Sequence, residues 1–319
     1  MSLLNVENLK TYYLTNRGPV KAVDDVSFKV REGEAMGLAG ESGCGKTTVA
    51  LSIMRILPSR GKIIGGKLLL KNLDLARIPE KQMKKIRWKR ISVIFQGAMN
   101  ALDPLFSLGD QIAEAILTHE PKLNKKDAMS RAGELLELVG IEQKRIKNYP
   151  HELSGGMRQR GLIAMALACN PELLIADEPG TALDVIIQAQ VLSLMEDLRK
   201  KLNLAVILIT HDLSIIADTC DKAAIMYAGK IVEYADVLDL FEEPLHPYTQ
   251  GLIHAFPNIK SSRTRMNSIP GSPPDLFDPP QGCRFHPRCP HAKGICKKEE
   301  PALTKMSGKE HVVTCHLME

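Results

Sequence analysis

Aromatic residues are scarce: one Trp, six Tyr and seven Phe make up 4% of the 319 residues. Proteins that bind single-stranded nucleic acid use aromatic rings on which successive bases stack. The most basic stretch, with Arg77, Lys81, Lys84, Lys85, Arg87, Lys89 and Arg90, contains a single ring, Trp88. That run reads as a solvated helix face, the net charge of +5 is modest for the length, and no nucleic-acid partner is expected. Long apolar runs are also missing. Each is broken by charge, Gly or Pro before the roughly 18 to 20 residues that a membrane-spanning helix requires. The opening Met1-Ser2-Leu3-Leu4-Asn5-Val6-Glu7 lacks the basic segment, apolar stretch and cleavage site of a secretory signal, so a cytoplasmic location is expected. No internal repeat is present, which removes solenoids and propellers.

What is there suffices for an ordinary globular core with a small second domain: 44% of residues are hydrophobic and 25% charged. Residues 3–10 and 20–30 alternate apolar and polar positions, as half-buried antiparallel strands do, with Arg17-Gly18-Pro19 as the turn. Glu34 to Ala39 reads as a short strand, and Thr47 to Leu57 as a helix ended by Pro58 and the Gly61 region. A strand at Ile91 to Phe95 precedes a helical stretch from about Gly109 to Cys169. Leu173 to Ala176 and Ala205 to Ile209 are continuous apolar runs, the pattern of parallel strands buried on both faces, with a helix from Asp184 to Lys201 between them. Composition shifts to Pro, Gly, Ser and charge after Phe256. The expected domains are therefore 1–255, with a helical subdomain at about 100–169, and 256–319, a Pro-rich linker and a four-Cys extension.

Gly40-Glu41-Ser42-Gly43-Cys44-Gly45-Lys46-Thr47 fits G-x-x-x-x-G-K-[ST] between a strand and a helix. Glycines let backbone N–H groups and the positive helix end wrap an anion. In this pattern Lys46 supplies a point charge to terminal phosphates and Thr47 a hydroxyl to Mg2+, and the Cys44 thiol is incidental. A hydrolytic site also needs a carboxylate at a neighbouring strand end. Asp177 suits Mg2+ and Glu178 the proton of an attacking water.

A P-loop with a following carboxylate also occurs in kinases, GTPases and recombinases, which leaves the reaction open. Leu153-Ser154-Gly155-Gly156-Met157-Arg158-Gln159-Arg160 narrows it, because it resembles the signature motif of ABC ATPases and precedes the Asp177-Glu178 strand as in that family. Physically, Ser154, Gly155 and Gly156 make a second helix start with bare N–H groups. The resemblance implies an α/β fold: a P-loop NTPase core of the ABC type with an antiparallel β subdomain and a helical signature subdomain. It also implies a head-to-tail sandwich of two cassettes, each closing on ATP bound by the other's loop. Gln96 looks like the family's glutamine loop, which contacts Mg2+ or the water and faces the membrane partner. Ala182-Leu183-Asp184 resembles the loop touching the opposite protomer, and His211 the switch histidine that orients Glu178 and its water. Tyr13 stands where the family stacks an aromatic ring on adenine; Tyr12 points to the opposite face of the strand. Together with Tyr13, the expected ATP contacts are Gly40, Ser42, Gly43, Cys44, Gly45, Lys46, Thr47 and Thr48, and Mg2+ is expected on Thr47, Gln96 and Asp177. Gly180 departs from the family's usual Thr or Ser.

The strings Tyr149 to Arg160, Ile163 to Pro171 and Glu243 to Thr249 are similar to those of oligopeptide/dipeptide importer ATPases. That branch implies a second, similar ATPase, two transmembrane permeases contacted around Gln96 to Ser107, and an extracytoplasmic solute-binding protein acting indirectly. It places the chain peripherally on the inner face of the membrane. Nickel, glutathione and oligosaccharides are alternative solutes in the branch, and a non-transport ABC ATPase is an alternative of another class. The C-terminal Cys283, Cys289, Cys296 and Cys315 follow C-x5-C-x6-C-x18-C, which lacks the C-x2-C turn of structural zinc sites. The spacing leads to the expectation of a 4Fe–4S cluster, with zinc as the alternative, stapling a segment too small to fold alone. His286, His291, His311 and His316 are expected at the surface or in support of that site.

Overall fold

A computed structural model describes residues 2–97, 101–181, 183–255 and 269–319. Ala182, residues 98–100 of the expected permease-facing surface and residues 256–268 of the expected linker lie outside these. The first strands and helix are β1 (Ser2–Thr15), β2 (Gly18–Arg31), β3 (Ala35–Ala39), α1 (Lys46–Met54), β4 (Gly61–Leu70) and β5 (Leu73–Asp74). Next come α2 (Glu80–Ile86), β6 (Ile91–Ile94), α3 (Leu108–His119), α4 (Lys125–Leu138), α5 (Gly155–Ala166), β7 (Leu173–Asp177), α6 (Val185–Leu202) and β8 (Ala205–Thr210). The chain continues through α7 (Leu213–Thr219), β9 (Lys222–Tyr227), β10 (Lys230–Asp236), α8 (Val237–Glu242) and α9 (Pro247–His254). It ends in the short strands β11 (Leu303–Lys305) and β12 (Val312–Thr314). Contacts divide it into two compact units, Met1–Arg77 with Leu208–Glu319, and Ile78–Ile207.

In the first unit, β1 pairs antiparallel with β2 and β4, burying Leu4, Val6, Leu9, Val26, Phe28 and Val30. The alternation forecast the β1–β2 hairpin, although both strands run further toward the turn than expected. β4 was not anticipated. Its first half, Gly-Lys-Ile-Ile-Gly-Gly, buries nothing deeply, so it carries no period-2 signal. A second ladder runs β11-β12-β10-β9-β3, with β9 parallel to β3 and the remaining pairs antiparallel. Every residue of β3 and β9 is buried. α1 stops at Met54, short of the expected Leu57, because Arg55 turns left-handed at φ 51° and its N–H returns to the last turn.

The second unit pairs β6 with β7 in parallel and carries the helical stretch. Local chemistry sets its helix starts: Ser107, Asn124, Ser154 and Asp184 each accept a backbone N–H from the first turn of α3, α4, α5 and α6. Asn203 closes α6 in the left-handed conformation at φ 49°. In the basic stretch, Arg87 pairs with Glu80 and Arg90 with Glu172, while the Trp88 indole donates to the Met165 carbonyl at 2.7 Å.

The cysteine extension overturns the metal expectation. Among the described residues, which include all four cysteines, no group of three or more His, Cys, Asp or Glu side chains is arranged to hold a metal ion, so neither the 4Fe–4S cluster nor zinc is supported. The thiols act as small apolar groups. Burial pushes Cys283 up to about 11 and raises Cys289 and Cys315, and Cys283 and Cys289 pack on the apolar cluster of this unit. The staple is instead Phe285, 2% exposed, whose ring centroid lies 5.1 Å from that of Tyr227 and 5.4 Å from that of Tyr248. Buried Arg284 flanks it, paired with Asp24 and donating to the Ala228 carbonyl at 2.5 Å. His311, expected at the surface or in support of the cysteine site, is buried and meets the fully buried Glu233 at 2.7 Å.

Candidate active site

In the first unit, Gly40 to Thr47 link β3 to α1. Three glycines adopt left-handed backbone, Gly40 at φ 150°, Gly43 at 79° and Gly45 at 110°. A Cβ at Gly40 would sit 2.2 Å from the Met226 carbonyl oxygen, and one at Gly45 2.1 Å from that of Ala22. Any side chain there would displace the loop, so the backbone cradle depends on glycine at these points. Lys46 is buried and its ammonium donates to the carbonyls of Gly40 at 2.7 Å and Glu41 at 3.1 Å, which sets its charge across the loop. Thr47 and Thr48 form the first turn of α1, whose N-terminal dipole favours an anion. Such a cradle, with its lysine and hydroxyl, fits a nucleotide's phosphates. Cys44 is buried, and that burial raises its thiol despite nearby Lys46, in keeping with an unreactive group.

Tyr12 and Tyr13 part as the strand pleat requires. The Tyr12 hydroxyl donates to Asp24 at 2.7 Å, and the Tyr13 hydroxyl lies 3.2 Å from the Thr48 hydroxyl at the start of α1. His211 follows β8 directly and is exposed.

In the second unit, β7 ends at Asp177, which is 1% exposed, and Glu178 follows with φ 48°. A left-handed glutamate is uncommon, and such strain concentrates where a side chain must be aimed. Gln96 donates to the Glu178 carboxylate at 2.9 Å, and the Thr181 hydroxyl donates to the same oxygen at 3.0 Å. The unit thus brings together Gln96 and Glu178, which stand far apart in sequence. Thr181 was not anticipated; its only sequence signal is its place three residues after the glutamate. Gly180, the departure from the family pattern, has a local reason, since a Cβ there would lie 2.5 Å from Cγ of Gln188.

Ser154 caps α5, accepting from Met157 N–H at 3.3 Å. Gly155 and Gly156 form the first turn, and a Cβ on Gly156 would meet Ile187 at 2.7 Å. Asp184 accepts from Ile187 N–H at 2.9 Å, which fixes the start of α6.

Comparison with known proteins places this arrangement. The ABC transporter family profile matches residues 23–181. The dimeric post-hydrolysis structure of the ATP-binding cassette MJ0796 bound to ADP and Pi is similar with a TM-score of 0.65 and 25% identity, over 73% of this chain and 98% of that one. CbiO1 from Clostridium perfringens, described as part of an ABC transporter complex, gives 0.65 and 26%, over 76% of this chain and 91% of that one. Fold and site define an ATP-hydrolysing cassette of the ABC class. A second profile, the oligopeptide/dipeptide transporter C-terminal region, matches residues 232–296. The oligopeptide transport ATP-binding protein AppD of Bacillus subtilis is 49% identical, over all of this chain and 97% of that protein. The dipeptide transport ATP-binding protein DppD and the oligopeptide transport ATP-binding protein OppD of Escherichia coli are both 45% identical, over 96% and 94% of this chain and 94% and 89% of theirs. The chain belongs to the ATP-binding proteins of oligopeptide/dipeptide-type ABC transporters. Among the described residues no helix is long and apolar enough to cross a membrane.

Proposed function

We propose that the chain hydrolyses ATP to drive import of di- or oligopeptides, as the peripheral subunit on the cytoplasmic face of a membrane transporter. The match of residues 232–296 to the peptide-transporter C-terminal region carries the solute class, because it sets this chain apart from cassettes in general. Its partners are two transmembrane permeases, a second and similar ATPase in a head-to-tail pair, and indirectly an extracytoplasmic solute-binding protein. Relatives named for oligopeptide and dipeptide transport, and a dimeric cassette among similar structures, support this assembly.

The residue roles follow from their chemistry. Tyr13 stacks on adenine. Backbone amides of the glycine loop and the Lys46 ammonium hold the phosphates. Mg2+, when bound, would neutralise charge at the phosphates, and Thr47, Gln96 and Asp177 are the side chains that would hold it. Glu178 accepts the proton of the attacking water, steadied by Gln96 and Thr181, and His211 orients both. Ser154, Gly155 and Gly156 of the opposite cassette close the site, with Asp184 at that junction. Co-purification with the permeases, followed by uptake of a labelled dipeptide into ATP-loaded right-side-out vesicles supplied with the solute-binding protein, tests the proposal. Uptake of nickel or glutathione with no peptide uptake would replace the solute class.

A further inference from the structure

Glu41 brings a negative charge into the loop that receives a polyanion, and two residues from the C-terminal region meet it. Arg288, 247 positions along the chain, donates from Nη1 to Oε2 at 2.6 Å and from Nη2 to Oε1 at 3.0 Å, the parallel fork that makes Arg–carboxylate pairs strong. Its side chain is 5% exposed, its Nε donates to the Pro270 carbonyl at 2.7 Å, and the guanidinium lies 5.7 Å from the Tyr227 ring centroid. It is therefore anchored independently of Glu41. The buried Tyr248 hydroxyl accepts the Glu41 backbone N–H at 3.0 Å. Both the charge and the backbone donor of Glu41 are engaged from outside the loop.

We propose that Arg288 and Tyr248 are positioning residues for ATP: Tyr248 ties the Glu41 backbone to α9, Arg288 ties Glu41 to the C-terminal extension and neutralises its carboxylate, and together they leave the amides from Ser42 onward to face the phosphates. The proposal rests on the nucleotide site inferred above. It gives the extension a part in nucleotide affinity and none in the chemical step. Without Arg288, the Glu41 carboxylate repels the triphosphate from within the loop. One uncompensated charge at a partly buried site weakens binding by about tenfold.

The test is steady-state ATP hydrolysis by the full-length chain in its assembled transporter. Arg288→Ala is expected to raise KM for ATP about tenfold with kcat within about twofold, the mark of a lost contribution to ground-state binding. Tyr248→Phe is expected to raise KM about threefold. Arg288→Lys, which keeps a charge and loses the fork, falls between wild type and Arg288→Ala, and carries the test should the latter fail to fold. The decisive comparison is a double-mutant cycle. In the Glu41→Gln background, Arg288→Ala should change KM by less than about twofold. Equal KM increases in both backgrounds, or a fall in kcat with KM unchanged, would show general loosening of the extension and overturn the proposal. Lys46→Ala serves as the control on the site itself: full turnover in that variant refutes the nucleotide site, whatever the cycle shows.

Discussion

The glycine loop at residues 40–47 and the cysteine-rich segment at 282–296 are both turn-dominated, yet different forces shape them. Backbone shapes the loop: the left-handed Gly40 and Gly45 leave no room for Cβ atoms, and a strand and a helix fix its ends. Distant side chains shape the cysteine segment, with Phe285 set among Tyr227 and Tyr248, Arg284 on Asp24 and Arg288 on Glu41. A backbone-determined site writes itself into a short motif. A segment held by partners 37 to 260 positions away leaves no local signature, and its clustered cysteines suggest a metal that the packing does not support.

The contrast predicts different kinds of damage. The largest effect belongs to chemistry: Glu178→Gln should bind ATP and lose turnover by about a thousandfold, measured as phosphate release beside equilibrium nucleotide binding. Near-normal hydrolysis would remove Glu178 as the base. In the extension the expected damage is to stability. Phe285→Ala empties a packed site among aromatic rings and should cost about 3–5 kcal/mol in denaturant unfolding of the full chain. A cost below about 1 kcal/mol would mean that something other than this ring holds the segment.

Protons give a third, smaller handle. Burial lowers His246 to about 4, against the opposing pull of Glu233, and its Nδ1 must stay unprotonated to accept the Tyr248 N–H at 3.0 Å. The folded state thus binds this proton less readily than the unfolded chain. Its contribution is present above the ordinary histidine value and is lost as pH falls from about 6.5 toward 4, by up to ~3 kcal/mol. Replacing His246 with Asn, which keeps an acceptor at the helix start, should flatten that part of the stability–pH profile. An unchanged slope would assign acid sensitivity elsewhere. The smallest effect is expected next door to Arg288. Cys289→Ser exchanges a half-buried thiol, should cost about 1 kcal/mol or less, and should leave ATP turnover intact. Lost turnover in a folded Cys289→Ser protein would give the thiols a role that packing alone denies them.

Much of the fold was legible where one physical rule dominates. The alternation in β1 and β2, the apolar runs of β7 and β8, and the Ser and Asp caps of α5 and α6 are each local consequences of burial or of unsatisfied helix N–H groups. β4 escaped because half of it is unburied, and β11 and β12 because three residues carry no periodicity. Gln96 and Glu178 were each identifiable from motif order, whereas their 2.9 Å hydrogen bond and the help from Thr181 are products of folding. Glu41 reads as an arbitrary loop residue in the motif. Only the fold shows Arg288 and Tyr248 converging on it.

The most direct measurement of the central claim is ATP turnover in vesicles containing the chain, its partner ATPase and the permeases, with and without a peptide-loaded solute-binding protein. The account predicts that peptide stimulates hydrolysis several-fold and that Glu178→Gln abolishes the stimulated rate. Hydrolysis that is indifferent to peptide, or a stimulated rate that survives Glu178→Gln, would contradict it.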